Sequence, residues 1–239
     1  MPNWVYNGLT IEGNPEQVDK LVEQMNQPFV DYIEAHGDLS YNIKQTKYVN
    51  PIFSFRNIVS PTDLEAYKAQ PDFKAEGEQN DWYSWNIRNW GVKWDVAVAE
   101  DASYTTTYME GPVANGDNKV VYYNFETAWS HPITALEKLS GQYPTLLFTL
   151  SYEEETGWGG ETEILRGKVI SESMYDNMCK DCDATDQMEY CEEADCGEIC
   201  GNCHWLGEAD LEAVAECSIH KVYLDTKVPE YRKVGVENG

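Results

Sequence analysis

The sequence predicts an α+β fold, an antiparallel sheet with helices on one face, joined to a small metal-stabilised module. Three observations predict it. The chain opens with a strand pattern that runs straight into a helix signature. Between Lys119 and Ile170 it reads strand, helix, strand, strand. Between Cys179 and His220 it carries all seven of its cysteines, in a segment too polar to fold on apolar burial alone.

Trp4 to Glu12 alternates, with Val5, Leu9 and Ile11 on one side and Trp4, Tyr6 and Gly8 on the other, which is the period of a strand. A helix follows: Asn14 is the N-cap, Pro15 stands at N1 and Gln17 at the capping-box position. Val18, Leu21, Val22 and Met25 form its apolar stripe, and Pro28 ends or bends it. The next stretch, Phe29 to Tyr48, is ambiguous and admits a short helix over Val30–Ala35 before a Gly37-Asp38 turn. Ile52–Val59 reads as a strand with Phe53, Phe55 and Ile58 inward, and Thr62–Lys68 as a short helix capped by Thr62. Pro71–Gln79 is polar and reads as a loop.

Asp81–Asp95 is the aromatic centre. Trp82, Trp85 and Trp90 fit a helix ending at Gly91, and Trp94 opens a strand through Val96 and Val98. Large aromatics at this spacing read as core before they read as a cage for a cation or a sugar. Asp101–Asp117 reads as a strand end plus a turn, and Lys119–Ala128 as a strand. Ser130 or His131 then caps a helix with Ile133, Leu136 and Leu139 inward, closed by Tyr143-Pro144. Thr145–Tyr152 is an apolar strand, Glu153–Gly160 an acidic turn and Glu161–Ile170 the return strand.

Strand, helix, strand, strand is most of a ferredoxin-like βαββαβ unit, whose last helix and strand would be Glu208–Glu216 and Ile219–Asp225. The expected plan is therefore an α+β domain over 1–172 with a ferredoxin-like second half. A cysteine-rich zinc module over 173–220 is inserted before the last strand, and 221–239 supplies that strand and a tail.

The cysteines come in pairs: Cys179 with Cys182, Cys191 with Cys196, Cys200 with Cys203, and Cys217 with His220. Thiolates and imidazole at these spacings suit two closed tetrahedral zinc sites. The pairs can fill them in sequence, or interleave as in the cross-brace of RING, FYVE and ZZ modules. The seventeen residues between the two CxxC motifs favour the interleaved order. His204, next to Cys203, is an alternative ligand. The competing reading, disulfides, fits poorly with an odd number of cysteines and with an N-terminus that lacks a signal-peptide pattern.

The formal net charge is −25. From Glu172 to Glu216 there are fourteen Asp and Glu against one Lys, Lys180. Such a field disfavours nucleic acid and membrane surfaces and favours basic partners. No apolar run approaches the roughly 18 residues of a membrane span, and a cytoplasmic protein is expected. No nucleophile with its base is evident. His131 reads as a structural residue at a helix start, Gly157–Gly160 lacks the Lys of a phosphate loop, and Glu153–Glu155 with Glu161 and Glu163 read as a solvated hairpin tip before a cation site.

Three long motifs add a resemblance. The opening PNW-x-x-N-x-L-x-I-x-G (Pro2–Gly13), WYSWNIRNWGVKWD (Trp82–Asp95) and FETAWSHP (Phe125–Pro132) are followed by a helix, a Tyr-Pro, an apolar strand and Tyr152-Glu153. Residues 1–172 in this respect resemble the Api92-like, or YubB-type, family of phages and conjugative plasmids. The resemblance implies a ferredoxin-like α+β domain and a bacterial host cell, and no defined activity. Val5 and Tyr6 stand where relatives commonly carry a Cys-Glu or similar pair. The resulting expectation is a non-enzymatic acidic protein of a mobile element that binds a basic protein of host or phage, with two structural zinc ions. The alternatives are an acidic nucleic-acid mimic that inhibits a host defence enzyme, and a cryptic hydrolase with a titratable pair near His131 or Trp94.

Overall fold

The computed structural model describes residues 3–33, 43–69, 71–74, 77–97, 106–175, 188–190 and 198–200. The chain divides into two compact units, Met1–Met174 and Tyr175–Gly239. In the first, the elements run β1 (Trp4–Gly13), α1 (Pro15–Met25), β2 (Phe29–Ile33), β3 (Ile43–Tyr48), a 3-10 turn (Phe55–Asn57), α2 (Leu64–Tyr67) and α3 (Trp82–Trp90). They continue with β4 (Tyr108–Asn115), β5 (Asn118–Ala128), α4 (Ile133–Gln142), β6 (Leu147–Glu154), β7 (Gly159–Leu165) and β8 (Lys168–Tyr175). In the second unit, β9 (Met188–Tyr190) pairs antiparallel with β10 (Glu198–Cys200).

Six strands form one sheet in the order β4-β5-β1-β6-β7-β8. β1 lies inside it, antiparallel to β5 from Trp4↔Ala128 to Gly13↔Lys119 and to β6 from Val5↔Glu154 to Glu12↔Leu147. β1-α1-β4-β5-α4-β6 is a βαββαβ chain order with its first and third strands central, which is the ferredoxin-like arrangement. β7 and β8 extend the edge of this sheet. The helix and strand expected over 208–216 and 219–225 lie outside the described residues.

Helix signals worked where a side chain could reach free N–H groups. The Asn14 side chain accepts from the Glu16 and Gln17 amides, and Asp81 accepts from those of Tyr83 and Ser84. Gly91 ends α3 at φ 81°, a left-handed conformation that favours glycine. α2 is capped by Asp63, one residue after the expected Thr62. α4 has no side-chain cap: Pro132 holds the cap position, and the Ser130 hydroxyl instead donates to the Gly91 carbonyl at 2.7 Å.

Four expected elements differ. Val30–Ile33 is a strand, not a helix, paired with β3 as a separate hairpin; Gly37 and Asp38 lie outside the described residues. Ile52–Val59 contains a 3-10 turn in place of a strand, because the Ser54 side chain accepts from the Arg56 amide and closes the turn. Phe53, Phe55 and Ile58 are buried all the same. Residues 94–97 form no strand, and the Val96 and Ala97 amides donate to the Asp95 carboxylate. The return strand ends at Leu165, where Arg166 and Gly167, at φ 56° and 74°, make a two-residue turn into β8.

The core lies on one face of the sheet. Val5, Leu9 and Ile11 of β1, Val121, Tyr123 and Phe125 of β5, and Phe148 and Leu150 of β6 meet Val18, Leu21 and Met25 of α1 and Leu136 and Leu139 of α4. Phe53 stacks on Phe125 with centroids 5.2 Å apart, and Phe55 meets Phe125 edge-on at 6.0 Å. Phe125→Ala is therefore expected to cost about 3–5 kcal/mol. Urea unfolding should show a lower midpoint at unchanged slope; a cost below about 1 kcal/mol would show that these rings do not anchor the core.

Candidate interaction face and buried polar centre

Alternation along the strands sends the remaining side chains to the opposite face. Three rows cross it in register. The first is Glu126, Tyr6 and Glu153. The second is Tyr108, Asn124, Gly8, Ser151 and Glu161, and the third is Glu110, Tyr122, Thr10, Thr149 and Glu163. No Lys or Arg occurs in the rows. Tyr6, Tyr108 and Tyr122 are 52%, 55% and 39% exposed, unusual for rings that were free to turn inward. Glu126 has no hydrogen-bond or ion-pair partner among the described residues, and partial burial raises its pKa. Basic side chains pair elsewhere, among them Lys20 with Glu16 on α1, Lys119 with Asp19, and Arg88 with Glu78.

At the end of this face, Trp4 approaches Trp94 at 6.2 Å. The Lys93 ammonium lies 4.1 Å from the centroid of Trp94 and 4.6 Å from that of Trp129, held by cation–π attraction to two indoles, and burial lowers its pKa. Trp129 is 45% exposed and adopts φ 71°, fixed by its amide donating to the Asn3 carbonyl.

Behind Trp94 is a buried polar centre. The Asp95 carboxylate accepts from Ser54 Oγ at 2.6 Å, from the amides of Phe55 and Arg56 at 2.8 and 3.1 Å, and from that of Val96 at 2.7 Å. Burial raises its pKa, and these donors act against that by stabilising the anion. The Arg56 guanidinium pairs with Asp31 at 3.0 Å, both side chains at most 5% exposed, and lies 5.0 Å from the Tyr67 ring centroid. The Tyr67 hydroxyl donates to Asn86, whose amide donates to the Lys93 carbonyl. Asp31, Tyr48, Tyr67, Asn86, Trp90, Trp94 and Asp95 enclose a cavity with about 10 Å³ open to the centre of a water molecule, room for about one water. This network ties the β2–β3 hairpin to the 3-10 turn and α3.

The sequence-predicted zinc ligands Cys179, Cys182, Cys191, Cys196, Cys203, Cys217 and His220, with His204, lie outside the described residues, and Cys200 is described only as backbone of β10. Among the described residues no group of three His, Cys, Asp or Glu is placed to hold a metal. The acidic hairpin tip does not converge either. Glu153, Glu161 and Glu163 face the open side, whereas Glu154 turns to the core face and accepts from the Thr156 amide. Tyr6, Tyr108, Tyr122 and Glu126 were missed as candidates. The signal was there: in β5, Tyr122, Asn124 and Glu126 alternate with Val121, Tyr123 and Phe125.

His131 stacks flat on Tyr152 at 3.8 Å, with Trp158 edge-on at 6.1 Å. Its Nδ1 is buried with no partner among the described residues, and burial lowers its pKa to about 4. The folded value lies below the unfolded value of about 6.5, so between the two the unfolded chain binds the extra proton. The His131 contribution is thus fully kept above about pH 6.5 and declines as pH falls toward 4. The stability gap between wild type and His131→Phe should shrink or reverse between about pH 7 and 4.5. A gap from urea unfolding that stays constant over that range would remove His131 as a source of acid sensitivity.

Residues 110–195 match a family model described as the ferredoxin-like domain in Api92-like protein. Among solved structures, the chain is similar to protein api92 from Yersinia pseudotuberculosis at 10% identity and a TM-score of 0.39, over 74% of this chain and 99% of that one. No curated protein matches. No helix among the described residues is long and apolar enough to cross a membrane. The matched residues take in β5, α4, β6, β7, β8 and β9 and most of β4.

Proposed function

We propose that this is a non-enzymatic binding protein of a phage or other mobile element that engages a basic protein of its host or of the virus in the bacterial cytoplasm. The observation that carries the reading is the open sheet face, whose three rows combine Glu110, Glu126, Glu153, Glu161 and Glu163 with three exposed tyrosines and no cation. A face selected only for solubility mixes both signs. The net charge of −25 supports it, because a field of that sign speeds encounter with basic partners and repels nucleic acid. The cysteine-rich segment belongs to the proposal as a structural two-zinc module, on the strength of its ligand spacing.

A labelled arginine-rich peptide titrated with the full chain should bind, with affinity falling at least about tenfold between low and moderate salt as charges are screened. A neutral peptide of equal length and a DNA duplex should not bind. Equal binding of the basic and neutral peptides would overturn the reading. A DNA-binding protein released from DNA by competition would replace it with nucleic-acid mimicry.

Elemental analysis of protein purified without added metal should give two zinc ions per chain, with thiols that react only after chelation. Fewer than two would remove the two-zinc module and leave the binding proposal to stand on the sheet face.

A further inference from the structure

The rows of the open face differ in height. The middle row has only Asn124, Gly8 and Ser151 on its three inner strands. Gly8 offers no side chain, and a Cβ there would meet Ser151 Oγ at 2.9 Å, so the floor stays low. One bank is Glu126, Tyr6 and Glu153, and the other is Glu110, Tyr122, Thr10, Thr149 and Glu163. Tyr108 and Glu161 stand at the two ends of the trough. Successive rows are about 7 Å apart along the strands, and five strands span about 19 Å. An extended segment of about six residues has that length.

We propose that this trough binds an extended, arginine-rich segment of a partner protein, lying across the strands with its side chains directed to both banks. The inference rests on the reading of a basic partner given above and names the surface and the recognition chemistry. Each bank pairs carboxylates with an exposed tyrosine, and a guanidinium satisfies both, by bidentate hydrogen bonding and by stacking. Lysine offers a point charge without the fork or the plane. Glu126, partly buried beside Tyr6 without a cation, is the position that gains most from one.

The test uses the full chain and an eight-residue arginine-rich peptide, with a lysine-rich peptide of equal charge for comparison. Glu126→Gln with Glu153→Gln, and separately Tyr6→Ala, should each weaken arginine-peptide binding by about tenfold or more while the melting transition stays in place. Neutralising Glu192, Glu193 and Glu208 to Gln removes more charge from the cysteine-rich segment and should change binding by less than about threefold. The lysine peptide should bind more weakly than the arginine peptide. If the segment variant loses binding and the face variants keep it, the trough is wrong and the basic-partner reading survives. If arginine and lysine peptides bind alike and Tyr6→Ala has no effect, the face attracts charge without recognising guanidinium, and the proposal falls. Should a face variant unfold, chemical-shift changes on the wild-type chain decide: shifts confined to β9 and β10 would overturn the trough, and shifts at Gly8, Asn124 and Ser151 would uphold it.

Discussion

The structure depends on the placement of β1 between β5 and β6. A strand paired on both sides has its register fixed twice, and a slip of one residue would turn Val5, Leu9 and Ile11 to the open face and Tyr6 and Thr10 into the core. Asn7, on the core face of the same strand, resists that slip from within. Its side-chain amide donates to the Val5 carbonyl at 2.8 Å and to Thr127 Oγ1 at 2.9 Å, and that hydroxyl in turn donates to the Ser130 carbonyl at 2.7 Å. The start of the sequence, the end of β5 and the entry to α4 are thereby held together, and both faces of the sheet take their composition from one register.

Legibility followed the range of the forces. β1, α1, α3 and β5 were readable because their signals are local: a period of two, a period near four, a cap that reaches its own next turn. The failures share a different cause. Val30–Ile33 pairs with Ile43–Tyr48 in a hairpin set by pairing rather than by periodicity. Phe53 and Phe55 alternate as a strand would, yet the chain turns between them and α2, where the Ser54 cap is joined by Asp95, forty residues later, which accepts from the Phe55 and Arg56 amides. That long-range carboxylate replaces the ladder bonds a strand would have made, and it cost the reading both the strand at Ile52 and the one at Trp94. The burial of the rings was still legible, since apolar side chains go inward whatever the backbone does. For the open face, each strand's alternation was legible but the rows were not, because rows exist only once register is known.

Between α1 and β4 the chain inserts the β2–β3 hairpin, the 3-10 turn, α2 and α3 into a βαββαβ order. An irregular segment against a core must satisfy its backbone without a ladder. Asp95, Ser54, Arg56, Asp31, Tyr67 and Asn86 do so with buried side chains. The arrangement also accounts for the titratable groups concentrated near Trp94, which engage one another and the backbone. Asp95 accepts from at least four groups, Arg56 faces Asp31, and the cavity between them is the size of a water molecule.

An antiparallel sheet that shows one face to solvent needs no explanation in itself. What sets this one apart is where the protein puts its cations. Lys20, Lys119 and Arg88 are exposed or half-exposed beside carboxylates on helices and loops, as surface charges are in most proteins. Lys93 is held against two indoles at the rim, beyond Trp4. Across β4, β5, β1, β6 and β7 the three outward rows carry carboxylates, phenols and small polar side chains, and no Lys or Arg. Carboxylates without a cation among them give the face a field of one sign, and complementarity to that field is what the proposed cationic partner would supply.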